Sequence, residues 1–372
     1  MTAAAPGVSQ LHVPIEDMEI ATYTIPTDKP EADGTFAWDK TTMVLVTLEA
    51  RGQRGIGYSY CSPAAATVIE HHLASLVQSV DVDADIWSLM LAAVRNVGRA
   101  GVAANAISAV DIALWDLRSR LAGLPLCEML NHRRLAVQAY GSGGFTSYSE
   151  SELEQQLGDW AAGGFKAVKM KIGKDWGRSA REDVQRVQAA RRAIGPHVEL
   201  FVDANGAYTP KQALQQAERF AEAGVTYFEE PVSSDHLDEL ALVRRGASMD
   251  IAAGEYGYSP FYFKNMLAAE AVDILQADAT RCLGITGFLQ AGALAYASGV
   301  PFSAHCAPSI HAHAACAVPQ IDHVEYFHDH VRIEQLLFDG FIEPVGGMLR
   351  PDLSRPGLGL ELREEEAAKW RS

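Results

Sequence analysis

Three short β-type segments each end in an acidic residue: Val198-Glu-Leu-Phe-Val-Asp203, Val225-Thr-Tyr-Phe-Glu229 and Asp250-Ile-Ala-Ala-Gly-Glu255. The acidic residues are spaced 26 positions apart, which fits one strand, one helix and two short loops, the repeating unit of a βα barrel. Successive barrel strands place their last side chains side by side on one rim. Three carboxylates at one point need a cation, and oxygen ligands suit magnesium best. The spacing therefore predicts a magnesium site at the mouth of a barrel.

The same alternation of strands and helices extends over residues 135–340. Strand-like segments end near Tyr140, Lys171, Asp203, Glu229, Glu255, Asp278, His305 and Glu325. Eight such strands with crossovers between them are typical of a closed βα barrel. The alternative, an open doubly wound sheet, would need a glycine-rich phosphate loop after its first strand, and Gly141-Ser-Gly-Gly144 is a poor match to one.

Residues 1–134 have a different pattern, which predicts a separate α+β unit. Strands are expected over Met18–Ile25 and Thr41–Glu49, and loops over Ile25–Asp39 and Gly55–Pro63. Helical periodicity then predicts three helices: Ala64–Gln78, Ala84–Arg99 and Ala103–Leu121. The irregular tail, residues 341–372, is expected to fold back on this first unit. The chain is thus divided into a capping domain (1–134), a barrel (135–340) and a returning segment (341–372).

Composition excludes several classes of partner. The net charge is −16 without a Lys/Arg cluster of the kind that follows phosphates, so nucleic acid is not expected to bind. The five cysteines are odd in number and lack CxxC spacing, which argues against a disulfide framework or a zinc site and favours a reducing compartment. No leader-like pattern opens the sequence, and no apolar segment is long enough to span a bilayer. We expect a cytoplasmic protein without a membrane partner.

Two lysines alternate on the second barrel strand, in Lys169-Met-Lys171. Alternation directs both side chains into the barrel. Two ammonium groups in a cavity with little water repel each other, and both the repulsion and the burial lower the pKa of a lysine. The pattern therefore predicts a lysine that works as a general base near neutral pH. The alternative is a pair of solvated lysines on an edge strand, which the apolar flanking residues disfavour.

A histidine and a carboxylate follow neighbouring strands, His305 after the seventh and Asp278 after the sixth. A carboxylate bonded to the far imidazole nitrogen fixes the tautomer and raises the basicity, so His305 is predicted to be a second acid/base. Glu325 on strand eight, if protonated, would donate to a substrate carboxylate; its alternative is a salt bridge to a lysine. Asn205 points the same way as Asp203 and is a candidate contact to the metal or the substrate.

The ordered set of motifs resembles the mandelate racemase subgroup of the enolase superfamily. The motifs are Lys169-x-Lys171, Asp203-x-Asn205, Glu229-Glu-Pro231, Gly254-Glu255, Gln276-x-Asp278 and Ser303-x-His305. The match extends to Ala109-Val-Asp-Ile-Ala-Leu-Trp-Asp116 and to the closing Arg350-Pro-Asp and Pro356-Gly-Leu-Gly, and so covers nearly the whole chain. Relatives similar to muconate cycloisomerase carry a lysine on strand six, where this chain has Asp278.

This resemblance implies a (β/α)7β barrel, an α/β modified TIM barrel, with an α+β capping domain. It implies one Mg²⁺ per subunit, with Mn²⁺ as the alternative, held by Asp203, Glu229 and Glu255. It implies Lys171 as the base on one face of the substrate, Lys169 beside the carboxylate, and His305, oriented by Asp278, on the other face. Glu325 is implied as the electrophilic partner of the carboxylate. The predicted substrate contacts are Asn205, Tyr140 and four residues of the capping segments: Lys29, Trp38, Tyr58 and Tyr60.

The common step of such a site is removal of the proton α to a carboxylate. The hydroxyl, aromatic and charged residues of the two capping segments favour a polyhydroxylated sugar acid, and loss of its β-hydroxyl would give a 2-keto-3-deoxy acid. Racemisation or epimerisation of a 2-hydroxy acid is the first alternative, and cycloisomerisation of a sugar-acid lactone or anhydro-sugar acid is the second. An inert sugar-acid-binding barrel is a third. The resemblance also implies a homo-oligomer, from a dimer to an octamer.

Overall fold

A three-stranded antiparallel sheet lies near the start of the chain in the computed structural model, which describes residues 12–372. Its strands are β1 (Asp17–Ala32), β2 (Ala37–Ala50) and β3 (Gln53–Tyr60), in the order β1-β2-β3. The first eleven residues, where the absence of a leader-like pattern was noted, lie outside the described part of the chain.

Both capping segments that were predicted as loops are largely strand. β1 and β2 continue through most of Ile25–Asp39 and leave residues 33–36 as the turn. The prolines of this segment fit because β1 is an edge strand, and the ladder shifts register between Pro26 and Glu31. Gly55–Pro63 is mostly β3, whose glycines serve close packing: a Cβ on Gly57 would lie 2.2 Å from the carbonyl oxygen of Ala109. Both loop predictions were therefore wrong.

Helices cover one face of this sheet. They are α1 (Ala64–Val68), a π-helical turn (Ile69–Leu73), α2 (Ala74–Val77), α3 (Ile86–Ala93), a 3-10 turn (Val94–Asn96), α4 (Val102–Ala122) and α5 (Leu126–Met129). The first three run on directly from one another, where the sequence predicts a single helix. The long α4 packs against β2 and β3 and is almost wholly buried, because it lies between the sheet and the barrel.

Eight parallel strands form the barrel, which closes because the last strand pairs with the first. The strands are β4 (Val137–Gly143), β5 (Ala167–Lys171), β6 (Glu199–Asp203), β7 (Val225–Glu229), β8 (Asp250–Ala253), β9 (Ile274–Ala277), β10 (Phe302–Ala304) and β11 (Ile321–Phe327). Seven helices join them: α6 (Glu150–Ala162), α7 (Ala180–Ile194), α8 (Pro210–Glu222), α9 (Leu237–Gly246), α10 (Pro260–Ala268), α11 (Gly284–Ser298) and α12 (Pro308–Ala317). The predicted (β/α)7β barrel with an α+β capping domain is confirmed.

The final segment returns to the capping domain. After α13 (His328–Leu337) come β12 (Phe338–Asp339), β13 (Met348–Leu349), β14 (Glu361–Leu362), α14 (Glu364–Ala367) and a 3-10 turn (Ala368–Trp370). Asp116 on α4 joins the parts of the chain: it accepts hydrogen bonds from the amides of Ile56 at 2.8 Å and Leu358 at 2.6 Å. Among residues 12–372, no helix is long and apolar enough to cross a membrane.

The buried carboxyl group of Glu334, on α13, joins β3 to α12. It accepts from the Tyr58 hydroxyl at 2.7 Å and from the Ser309 hydroxyl at 2.5 Å. Burial raises the pKa of Glu334 to about 7. A carboxyl group whose pKa is raised on folding binds its proton more tightly in the folded state, so its contribution to stability is present at low pH and is lost as the pH rises from about 4.5 to about 7.

We expect Glu334→Gln to flatten this pH dependence. The free energy of unfolding of the wild type should fall by up to about 3 kcal/mol between pH 4.5 and pH 7 through this one group, because each unit of pKa shift corresponds to about 1.4 kcal/mol. Urea unfolding of both proteins at pH 5 and pH 8 measures the difference. Glu343→Gln, which changes an exposed carboxylate in the same way, is the control. Equal slopes for the wild type and Glu334→Gln would contradict the prediction.

Candidate active site

Three carboxylates meet at the mouth of the barrel. Asp203 and Glu229 are the last residues of β6 and β7 and pair in register, while Glu255 lies two residues beyond β8. One oxygen from each of the three lies within 4.8 Å of the others, and all three side chains are buried. Adjacent parallel strands thus bring together the residues that the 26-residue spacing selects.

The donor set fits a hard divalent cation. Oε1 of Glu229 and Oδ1 of the neighbouring Asn205 are buried and have no hydrogen-bond partner within residues 12–372. Burial, reinforced by the charges of Asp203 and Glu325, raises the pKa of Glu229 to about 8. Three buried carboxylates repel one another unless positive charge is added, and all-oxygen ligands are those that Mg²⁺ prefers. Asp203, Glu229 and Glu255 would hold the ion, with Asn205 at its edge.

The two lysines of β5 point into this cluster. Lys171 Nζ lies 2.5 Å from Asp203 Oδ2, and Lys169 Nζ lies 2.7 Å from Glu229 Oε2. Burial acts to lower the pKa of both lysines, but the facing carboxylates raise both values above the ordinary range. The predicted lowering of the lysine pKa was therefore wrong: attraction to nearby carboxylates exceeds the repulsion between the two ammonium groups.

Glu325 is held as a carboxylate. Its Oε1 accepts from Lys169 Nζ at 2.8 Å and from the Ser142 hydroxyl at 2.6 Å. Burial acts to raise the pKa of Glu325, but Lys169 and His305 hold it below the usual range. The salt bridge that was the alternative for this residue is therefore the arrangement found, and the protonated form is not favoured.

His305 and Asp278 form the predicted pair. Nδ1 of His305 lies 2.8 Å from Asp278 Oδ2, which leaves Nε2 facing the cleft. Burial acts to lower the pKa of His305, but Cys306, Glu255 and Glu325 raise it well above its ordinary value. An imidazole held in this way by a carboxylate has a fixed ring orientation and can present a proton at Nε2. Nε2 lies 3.3 Å from Glu255 Oε2.

The mouth of the barrel and the capping sheet enclose a cleft of about 320 Å³. Lys171, His305, Glu255, Glu325 and Asn205 line its barrel side. The capping sheet contributes two of the predicted contacts, Trp38 and Tyr60. A wider depression of about 750 Å³ lies beside the hairpin turn, and none of the predicted site residues line it.

Three predicted substrate contacts are not in the cleft. Lys29 pairs with Glu152 at 2.8 Å on the surface outside it. Tyr58 lies on the same face of β3 as Tyr60, with the two ring centroids 5.6 Å apart, but it is buried one position pair further from the cleft, where its hydroxyl bonds to Glu334. Tyr140 is packed inside the barrel, with its ring 5.4 Å from Lys169 Nζ.

Several cleft residues were missed by reasoning from sequence. They are Lys40, Thr41, Cys61, Tyr256, Arg281, Cys306 and His330. Arg281 follows Asp278 by three residues, and its guanidinium Nε lies 3.6 Å from that carboxylate. Its position just after a strand end was the signal that could have identified it. His311 bonds to backbone atoms, its Nδ1 lying 2.7 Å from Cys306 O, and so has a structural role.

Comparisons with known proteins agree with this geometry. A family model described as "Mandelate racemase / muconate lactonizing enzyme, N-terminal domain" matches residues 19–131, and one described as "Enolase C-terminal domain-like" matches residues 152–367. The arabinonate dehydratase of Saccharolobus solfataricus is 33% identical over 345 residues, which are 87% of this chain and 89% of that protein.

Solved structures give the same result. A mandelate racemase/muconate lactonizing enzyme-like protein from Rubrobacter xylanophilus is 52% identical, with a TM-score of 0.93 over 96% of this chain and 100% of the other. A racemase from Streptomyces coelicolor A3(2), solved with bound magnesium, is 30% identical, with a TM-score of 0.90 over 96% of this chain and 100% of the other. The chain belongs to the mandelate racemase/muconate lactonizing enzyme family of the enolase superfamily.

Proposed function

We propose that this chain is a magnesium-dependent acid-sugar dehydratase. It removes the proton α to the carboxylate of a sugar acid and expels the β-hydroxyl as water, which leaves a 2-keto-3-deoxy acid. The observation that carries the proposal is the placement of two acid/base groups on different walls of one cleft. Lys171 ends β5 and His305 follows β10, three strands away around the barrel, and both line the cleft beside the three carboxylates.

Each residue has a separate task in this reaction. Lys171 in its unprotonated form takes the α-proton; a cation held by the three carboxylates would offset the charge of Asp203, which raises the pKa of this lysine. The developing negative charge on the substrate carboxylate is met by Lys169. Mg²⁺ on Asp203, Glu229 and Glu255 supplies Lewis-acid stabilisation of that charge when bound. His305 delivers the proton at Nε2 to the leaving hydroxyl, and the enol product tautomerises to the ketone.

Residues that contact these groups from behind keep them in position. Asp278 holds the imidazole of His305 through Nδ1, so that Nε2 stays directed into the cleft. Glu325 anchors Lys169 and is itself held by Ser142 at 2.6 Å. Glu325 therefore acts in this proposal as a positioning residue for Lys169 and not as a proton donor to the substrate.

A sugar acid fits the walls of the cleft. Lys40 and Arg281 add positive charge, which an anionic substrate needs against a net charge of −16. Thr41 and Tyr60 offer hydroxyl groups on the capping side. The relationship to an arabinonate dehydratase supports the same class of substrate.

The test is a screen of mono- and diacid sugars with Mg²⁺, in which semicarbazide detects 2-keto products. Parallel reactions in D2O, followed by NMR, record exchange at the α-carbon. Keto product from one stereochemical series is the expected result. The same protein treated with a chelator and assayed without added divalent ion is the control. Turnover that is unchanged without the divalent ion would contradict the metal assignment. If no acid gives keto product and none exchanges its α-proton, the proposal is overturned.

Racemisation or epimerisation of a 2-hydroxy acid is the second candidate. Two acid/base groups on different walls can remove a proton from one face of the α-carbon and return one to the other face. The similarity to a racemase solved with magnesium favours it. In the screen above, inversion or deuterium uptake without keto product would establish this activity. Cycloisomerisation of a lactone or anhydro-sugar acid would give a keto acid of unchanged mass, because the ring oxygen that leaves the β-carbon stays in the molecule.

We also propose that the enzyme works in the cytoplasm as a homo-oligomer of two to eight subunits, with the domain division at residues 134 and 340. Five free cysteines support a reducing compartment, because none of them is paired in a disulfide. Light scattering of the purified protein measures the subunit number, and a monomer would contradict the proposed assembly.

A further inference from the structure

A second cluster of metal-ligand types lies in the cleft, beside the magnesium carboxylates. His305 Nε2, Cys306 Sγ and Glu325 Oε2 face one another, and all three residues are buried and line the cleft. The distances are 3.2 Å from Nε2 to Sγ, 3.5 Å from Sγ to Oε2 and 3.6 Å from Nε2 to Oε2. Sulfur and imidazole ligands suit zinc, whereas magnesium needs oxygen.

These separations are close to the edges of a zinc tetrahedron. With Zn–S near 2.3 Å and Zn–N or Zn–O near 2.1 Å, tetrahedral angles place the ligand atoms about 3.4–3.6 Å apart, so the Nε2–Sγ pair, at 3.2 Å, must open by a few tenths of an ångström. Asp278 on Nδ1 of His305, at 2.8 Å, provides the outer carboxylate that commonly orients a zinc-bound histidine. The other oxygen of Glu325 is fixed by Lys169 and Ser142, so Oε2 is preorganised.

We propose that His305, Cys306 and Glu325 form an inhibitory zinc site inside the active-site cleft. The fourth position opens into the cleft for water or a substrate oxygen. Binding releases two protons to solvent, the thiol proton of Cys306 and the proton on Nε2 of His305, and the ion then occupies both atoms. Zinc thereby removes the group that protonates the leaving hydroxyl, so its inhibitory effect rests on the proposed function. The binding itself does not.

Spectroscopy of Co²⁺ in place of zinc tests the binding without turnover. Protein saturated with Mg²⁺ and titrated with Co²⁺ should develop a sulfur-to-cobalt charge-transfer band, which a site made only of carboxylates cannot produce. Cys306→Ser should abolish the band. Cys61→Ser is the matched control, because Cys61 also lines the cleft but its thiol bonds to the backbone oxygen of Ser59 at 3.6 Å. No band, or a band that survives in Cys306→Ser, overturns the proposal.

The affinity for zinc tests the same site quantitatively. Calorimetry with Mg²⁺ in excess should show one Zn²⁺ per subunit, with affinity weakened by at least about tenfold in Cys306→Ser, since loss of an outer-shell partner alone costs about 10–100-fold. Asp203→Asn should leave zinc binding within about threefold; loss of binding there would place the ion on the magnesium carboxylates and overturn the proposal.

Protection of the thiol in the wild-type protein needs no variant. Zinc should slow alkylation of Cys306 and leave Cys61 unaffected, as measured by mass spectrometry of the peptides. Equal rates at Cys306 with and without zinc overturn the site even if Cys306→Ser fails to fold. Zinc that binds but leaves turnover unchanged would overturn only the inhibitory role. A protein that binds zinc in this way but turns over no acid would count against the proposed dehydratase activity and not against the site.

Discussion

Lys171→Ala should lower turnover by on the order of 10²–10⁴-fold, the contribution that a positioned general base makes. The amine lies in the cleft at the end of β5, and among residues 12–372 the only other lysine lining this cleft is Lys40, which belongs to the capping sheet. The initial rate of 2-keto acid formation with saturating Mg²⁺ measures the effect. Exchange of the substrate α-proton in D2O should fall by the same factor, because both require that proton to be removed.

The change should not weaken magnesium binding. Lys171 Nζ lies 2.5 Å from Asp203 Oδ2, so its loss frees that oxygen for the ion. Calorimetric titration with Mg²⁺ should therefore give an affinity equal to or higher than that of the wild type. Lys166→Ala, which removes an exposed lysine just before the opposite end of the same strand, should leave turnover and exchange unchanged. Turnover by Lys171→Ala within about threefold of the wild type would exclude this residue as the base.

The barrel could be predicted because parallel strands impose a spacing on the sequence. Asp203 and Glu229 end their strands as predicted, and Glu255, Asp278 and His305 lie within two residues of the strand ends. A fixed repeat of strand and helix converts sequence distance into position around the mouth. The residues assigned to the metal and to the His–Asp pair are therefore together in the structure.

The capping segments could not be placed in the same way. Pro26 and Pro30 interrupt a strand pattern, yet β1 tolerates them because it is an edge strand. Gly57 suggests a loop, yet it is required by the close approach of α4. With the strands misread as loops, the positions of Tyr58 and Tyr60 could not be assigned: both lie on the same face of β3, but only Tyr60 lines the cleft.

The pKa shifts and cleft contacts that depend on residues distant in the sequence could not be predicted from it either. The pKa of Lys169 is raised and not lowered, because Glu229 and Glu325 lie beside it while belonging to different strands. Likewise Cys306 follows His305 directly, but only the fold shows that its thiol turns back toward the imidazole at 3.2 Å. A search for CxxC spacing cannot find the cluster of His305, Cys306 and Glu325, because Glu325 comes from a different strand.

His305→Asn should separate the two halves of the proposed reaction. Asparagine retains a side-chain donor for Asp278, so the buried carboxylate keeps a partner, but it has no proton to give to the leaving hydroxyl. Formation of keto acid should fall by on the order of 10²–10⁴-fold. Exchange of the α-proton with D2O should persist, because Lys171 still removes and returns that proton.

NMR of the recovered substrate in D2O, beside the semicarbazide assay, measures both quantities on one sample. His328→Asn is the control, since its imidazole pairs with Asp28 at 3.1 Å outside the cleft and both activities should survive its loss.

If exchange disappears in His305→Asn and persists in Lys171→Ala, then His305 is the base and the two assignments must be reversed. If His305→Asn keeps full dehydration, the leaving hydroxyl takes its proton from another group, and Arg281 and Tyr256 cannot easily supply it because each loses a proton only well above neutral pH. Such a result would contradict the assignment of His305 as the acid and would leave water in the cleft as the proton donor.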